Sequence, residues 1–193
     1  TLTTATADND SAYIIPNSDG DVANAFTEKT WDFDLGSHFF SYFKTGSAVT
    51  TTGIVQGFKI DNDFGVDDTD ICCFFVDTEV ENTLKMYCTR NGTGCFGTSA
   101  SATAEFDTGI VIEASSEYVL EIAMDTISGG YYPTFWINDE EYNCGSTGQS
   151  FSMWQGLRGG TSSVHPFWGH TCTAGSAARA ITYRRIGASE VYE

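Results

Sequence analysis

Tyr118-Val119-Leu120-Glu121-Ile122-Ala123-Met124-Asp125, a Gly129-Gly130 turn, and Thr134-Phe135-Trp136-Ile137-Asn138-Asp139-Glu140-Glu141-Tyr142 decide the fold class. Tyr118, Leu120, Ile122 and Met124 fall on one side of a period-two ribbon, while Glu121 and Asp125 fall on the other, as in a strand with one buried face. Tyr131, Pro133, Phe135 and Ile137 repeat the pattern after the turn. Asn138-Asp139 tolerates tight-turn geometry, so the chain reverses again at once. This spacing argues against a helical protein.

Other segments carry the same short-range pattern. Candidate strands run over Ala12–Ile15, Ala25–Phe33, His38–Lys44, Gly53–Ile60, Ile71–Asp77, Leu84–Thr89, Gly109–Glu113, Tyr118–Asp125, Tyr131–Asn138, Ser150–Leu157 and Ala178–Ile186. Turn residues separate nearly all of them, which predicts an all-β, two-sheet antiparallel sandwich. Phe39-Phe40-Ser41-Tyr42-Phe43 has aromatics on both faces, which suits a central strand covered on both sides or lying at a contact. No repeat or linker divides the 193 residues, so the expected organisation is an N-terminal arm over 1–11, mobile or docked on a neighbour, and one sandwich domain over 12–193.

Nine basic against 26 acidic residues give a net charge of −17. Such a surface repels polyanions, and nucleic-acid binding, which rests on cationic contacts to phosphate, is disfavoured. Arg158, Arg179, Arg184 and Arg185 are the candidates for a local basic groove. No stretch approaches the roughly 20 apolar residues of a membrane helix, and Thr1-Leu2-Thr3-Thr4 lacks a signal pattern. The reading is a soluble chain or one whose signal has been removed, with no membrane partner.

Cysteines stand at 72, 73, 88, 95, 144 and 172. Cys88 and Cys95 flank Thr89-Arg90-Asn91-Gly92-Thr93-Gly94, a turn that could bring them within bridging distance. Adjacent Cys72 and Cys73 point to opposite faces if Ile71–Val76 is a strand. Small buried free thiols are the alternative, and the spacing leaves the pairing open.

The Y-x-L-x-I strand at Tyr118–Ile122, leading to F-x-I-N at Phe135–Asn138, resembles a recurring element of concanavalin/LamG-like jelly-roll sandwiches. The strand containing Cys73–Val76, the Asn91-Gly92 hairpin, Phe106-Asp107-Thr108-Gly109-Ile110, the Tyr118–Tyr142 ribbon and the closing Ala177–Ile186 strand follow in an order similar to concanavalin-like modules of tailed-bacteriophage virions, over roughly residues 25–190. That resemblance implies a non-enzymatic virion structural protein, a capsid decoration or tail-fibre (appendage) module. Its expected partners are other virion proteins, capsid or tail subunits or further copies of itself in a homo-oligomer, with contact to host-surface glycan. It implies a place on the virion surface; a secreted carbohydrate-binding module or lectin, or a sandwich-fold polysaccharide lyase or hydrolase, is the alternative.

Candidate sites follow from residue chemistry. Planar aromatics stack on sugar faces, which makes Trp136, Trp154, Trp168, Tyr131 and Tyr132 candidates for carbohydrate or partner contact; core packing competes for the same side chains. His165 joins them through His165-Pro166-Phe167-Trp168-Gly169-His170, read as a loop whose two histidines could bind sugar or metal while Phe167 and Trp168 cover the sandwich edge. Asp61, Asp63 and Asp67 belong to an acidic run, 61–70, that could hold calcium through oxygen ligands or could simply be a solvated turn; no other cofactor is expected.

No catalytic residue is assigned. Glycoside hydrolysis needs two carboxyls about 5–9.5 Å apart. Glu117, Glu121 and Asp125 share a face but lie about 13 Å apart along a strand, and Asp32 and Asp34 lack a third acid. A sandwich lyase needs a His or Tyr base and an Arg or Gln to neutralise the uronate. His38, His165 and His170 do not sit in the R-x-E-x-R or Q-x-H patterns of such lyases.

Overall fold

The computed structural model describes residues 1–4, 11–14, 33, 36–59, 66, 70–127, 130–144, 149–151, 153, 155–157, 164–174 and 178–189. Fourteen strands are described: β1 (Leu2–Thr3), β2 (Ser11–Ile14), β3 (His38–Thr45), β4 (Thr52–Lys59), β5 (Ile71–Asp77), β6 (Glu81–Arg90), β7 (Thr93–Gly94), β8 (Glu105–Val111), β9 (Glu117–Ile127), β10 (Gly130–Ile137), β11 (Glu140–Cys144), β12 (Gln149–Phe151), β13 (His165–Cys172) and β14 (Ala180–Ser189). They form two seven-stranded sheets. The first has the order β1-β14-β3-β9-β10-β11-β12; the second runs β2-β13-β4-β5-β6-β7, with β8 also paired to β6. All pairings are antiparallel except β11 with β12. The protein is an all-β, two-sheet jelly-roll sandwich.

The ribbon that opens the sequence argument is β9–β10, with Leu120 opposite Ile137 and Glu121 opposite Trp136. Its inward residues Leu120, Ile122, Phe135 and Ile137 are buried, as the alternation requires. Asn138 and Asp139 both take positive φ, 51° and 68°, the geometry of a two-residue hairpin turn. Asn138 also holds Val119 through its own N–H and its side-chain oxygen, both at 2.9 Å. Asn91 and Gly92 make the equivalent turn between β6 and β7, at φ 49° and 71°.

The two sheets meet through aromatic contacts. Phe74 of β5 sits edge-on to Phe135 of β10 at 5.2 Å, and Trp168 of β13 stacks on Phe39 of β3 at 4.9 Å. Burying each such ring contributes about 1.5–3 kcal/mol. Two polar links also cross the core. The Trp168 indole donates to the Phe40 carbonyl at 3.0 Å, and the Gln56 amide donates to the Tyr183 hydroxyl at 3.2 Å. Burial pushes the Tyr183 hydroxyl far above its usual range, so it stays protonated.

β4 and β13 are buried along their whole length. Beyond the main core, Val55, Ile71, Cys73 and Phe167 form a second apolar cluster on the outer side of the second sheet. At Gly57 (φ 150°) a Cβ would fall 2.5 Å from the Cys72 carbonyl oxygen and from Cys73 Cα. Only glycine allows β4 and β5 to approach so closely there.

Several expectations are corrected. His165–His170 is the interior strand β13, flanked by β2 and β4, and not an edge loop. The strand expected at Gly109–Glu113 is β8, earlier in the chain, and among the described residues of the stretch expected as a strand over Ser150–Leu157 only those of β12 are in a strand, with Met153 and Leu157 making isolated bridges. Within the segment expected as an arm, Leu2–Thr3 pairs with β14 and Thr4 N–H donates to the Arg179 carbonyl at 2.9 Å, so these residues are stitched to their own chain. The Ala25–Phe33 strand lies outside the described residues apart from Phe33, which is buried.

Candidate functional site on the outer face of the first sheet

Alternation sends every second residue of β3, β9 and β10 away from the core, and register lines these residues up across the sheet. Phe40 lies opposite Glu121, and Glu121 opposite Trp136. The result is a row in which one carboxylate separates two half-buried aromatics. With strands about 4.8 Å apart, Phe40 and Trp136 are separated by about 10 Å, close to the length of a disaccharide.

His38 and Glu121 are diagonal neighbours on this face, and His38 Nε2 lies 3.3 Å from Glu121 Oε2. Their side chains are 39% and 30% exposed, so both reach solvent. The Arg185 guanidinium lies over the Phe40 ring at 5.3 Å. These four residues, with Ser189 and the backbone of β14, line an open depression of about 400 Å³. One row along, the Tyr42 hydroxyl donates to Glu117 at 2.6 Å, and Arg184 lies 3.7 Å from the same carboxylate. The hydrogen bond to Glu117, more than any burial, raises the Tyr42 pKa.

Both arginines face outward because β14 is irregular. Tyr183 pairs with Phe43 and Arg185 with Tyr42, which leaves Arg184 as an extra residue. Before this bulge the odd positions Ile181 and Tyr183 turn inward; after it, the even positions Ile186 and Ala188 pack against the core. A regular strand would drive Arg185 into the core, so the bulge re-phases the strand and lets both charges reach water.

The residues singled out from sequence are scattered by this arrangement. Trp136 is part of the aromatic row, and Tyr132 lies on the same face opposite Asp125. Tyr131 packs on the core side, and Trp168 is a core residue at 3% exposure, so neither offers its ring to a sugar. His165 is buried beside Lys59 on the other sheet, and His170 points to the opposite face of β13, so the two cannot share a metal. Trp154, Arg158, Asp32, Asp34, Asp61, Asp63 and Asp67 lie outside the described residues; Asp70 of the same acidic run is buried and accepts from the Asn91 N–H at 3.4 Å. Arg179 does not join Arg184 and Arg185 in a groove, because its guanidinium holds the Thr50 carbonyl at 2.7 Å and the Thr51 hydroxyl at 2.8 Å. Of the two readings left open for Cys88 and Cys95, a bridge across the turn or free buried thiols, the structure has the second, and the sulfur that contacts Cys88 belongs to Cys72, 3.2 Å away.

Sequence reading missed Phe40, Glu121, His38 and Arg185 as a group. Cross-strand register brings them together, and that was not readable from any one segment. The adjacent Arg184-Arg185 pair in an otherwise alternating strand was the one local signal of a bulge.

Chemically the face offers ring surfaces, carboxylate acceptors and cationic donors. Glu117 and Glu121 lie about 13 Å apart on β9, outside the carboxyl separations that glycoside hydrolysis uses. The sequence matches no protein-family model and no curated protein. Solved structures do resemble it in fold. An alginate lyase from Pseudomonas aeruginosa aligns with a TM-score of 0.56 at 10% identity, over 97% of this chain and 85% of the lyase. A protein of unknown function from Shewanella oneidensis MR-1 aligns with a TM-score of 0.52 at 15% identity, over 95% of this chain. This chain spans 65% of that protein's length.

Proposed function

We propose that the chain is a non-enzymatic sandwich module that works by surface contact, binding neutral glycan across the outer face of the first sheet. The observation that carries this reading is the Phe40–Glu121–Trp136 row, in which two half-buried aromatic side chains flank a carboxylate that can accept hydroxyl hydrogen bonds. Calorimetric titration against a panel of neutral oligosaccharides tests it. Wild type binds saturably, and Trp136→Ala weakens binding at least about tenfold, a loss of about 1.4 kcal/mol, while its far-ultraviolet spectrum stays unchanged. A flat titration across the panel, or full affinity in Trp136→Ala, overturns the proposal. The strand-order resemblance supports a capsid or tail surface as the setting, and immunogold labelling of intact particles by antibody to the chain is its test.

A lyase is the second reading, favoured by the likeness to an alginate lyase and by a potential base, His38, on the same face as Arg185. Incubation with alginate separates the two. New ultraviolet absorbance from unsaturated uronate ends, lost in His38→Ala, would replace the contact role with turnover.

A further inference from the structure

Cys72 on β5 and Cys88 on β6 are register partners. The Cys88 N–H donates to the Ala104 carbonyl at 2.9 Å, and the Cys88 carbonyl accepts from the Cys95 N–H at 3.1 Å. Both backbone groups of Cys88 are therefore turned away from β5. Cys72 and Cys88 form a non-hydrogen-bonded pair, the type in which Cα atoms stand about 4.5 Å apart and side chains lie closer together. That separation lies within the range of about 4.4–6.8 Å spanned by disulfides. The two sulfurs already touch at 3.2 Å, and both residues are fully buried in the main core. Cys73 is on the other side of β5, in the outer apolar cluster.

We propose that Cys72 and Cys88 close into an intrachain disulfide, stapling β5 to β6, when the chain folds in the presence of a low-molecular-weight disulfide such as oxidised glutathione. One cysteine thiolate attacks a glutathione sulfur, breaking that S–S bond and forming a mixed disulfide as one glutathione thiolate leaves. The second cysteine attacks the protein sulfur of the mixed disulfide, forming the Cys72–Cys88 bond and releasing the second glutathione. Two electrons pass from the protein thiols to glutathione, and the two thiol protons end on the two glutathione thiols. Burial pushes both cysteine thiols up in pKa, so thiolate is scarce in the finished sandwich. The exchange therefore runs during folding or in a transient opening of the β5–β6 hairpin.

Trypsin isolates Cys88 on the peptide 86–90, whereas Cys72 and Cys73 fall on 60–85, and Cys95 on 91–158. The full chain is refolded in a glutathione redox buffer, alkylated, digested without reduction and mapped by mass spectrometry. Peptide 86–90 is expected joined to 60–85, and the link is expected to persist in Cys73→Ser. Recovery of 86–90 as the alkylated free peptide, its linkage to 91–158, or loss of the link in Cys73→Ser overturns the assignment. Because Cys73→Ser leaves the main core untouched, the test does not depend on a Cys72 variant folding.

Discussion

His170 shows how one buried ring ties stability to pH. Its Nε2 lies 3.2 Å from the Arg179 carbonyl, which fixes that nitrogen as an N–H donor, while Nδ1 is buried without a hydrogen-bond partner among the described residues. A second proton would place charge on a nitrogen that nothing receives. Burial therefore lowers the His170 pKa, and outweighs the bond to Arg179, which acts the other way. The unfolded chain takes up this proton near pH 6.5 or so, the folded chain only at lower pH. The stabilisation from the neutral ring is thus complete above about pH 6.5 and drains away as pH falls through the folded-state value. Urea midpoints at about pH 7.5 and about pH 5.5 should fall for the wild type, and fall less for His170→Gln, which has no titrating ring. Equal losses in the two proteins would assign the pH dependence to other groups.

At the level of elements, the β14 bulge makes a sharper prediction than any single side chain on that strand. Removing Arg184 leaves Ile181, Tyr183, Ile186 and Ala188 all inward in one regular alternation. The cost is its exposed contact with Glu117, worth about 0–1 kcal/mol. Deleting Ser41 from β3 has no such escape, because Phe39 and Phe40 exchange faces. Chemical unfolding should show the Arg184 deletion within about 1 kcal/mol of wild type and the Ser41 deletion destabilised by about 3–5 kcal/mol. A similar large loss in both would mean that the bulge is structurally required. The same reasoning explains what the sequence disclosed. β9 and β10 have one wet face, so their alternation was plain, and the Asn138-Asp139 and Asn91-Gly92 turns could be read from residue chemistry. β13 is buried on both faces and so shows no alternation, and Pro166 and Gly169 made it look like a loop. The aromatic row on the first sheet lay hidden for a different reason: its members, at positions 40, 121 and 136, are 15 to 96 residues apart in sequence, and only register joins them.

Across the whole molecule, the charge of −17 bears on which glycans the proposed contact face would accept. The candidate face itself is mixed, with Glu117, Glu121 and Asp125 set against Arg184, Arg185 and Lys44, so the contact chemistry alone would accept neutral or acidic sugar. The long-range field does not. At about 0.01 M salt the Debye length is about 30 Å and the excess carboxylates act on an approaching polyanion together; at about 0.15 M it is about 8 Å and only the local face is felt. A neutral oligosaccharide carries no charge for that field to act on. Its affinity should therefore be the same in both salts, while any affinity for a polyuronate should rise with salt as the repulsion is screened. Calorimetry at the two ionic strengths separates the cases. Polyuronate binding that weakens with salt would mean that Arg184 and Arg185 dominate the encounter despite the surrounding acid, which is the behaviour an acidic-polysaccharide enzyme needs and a neutral-glycan contact module does not.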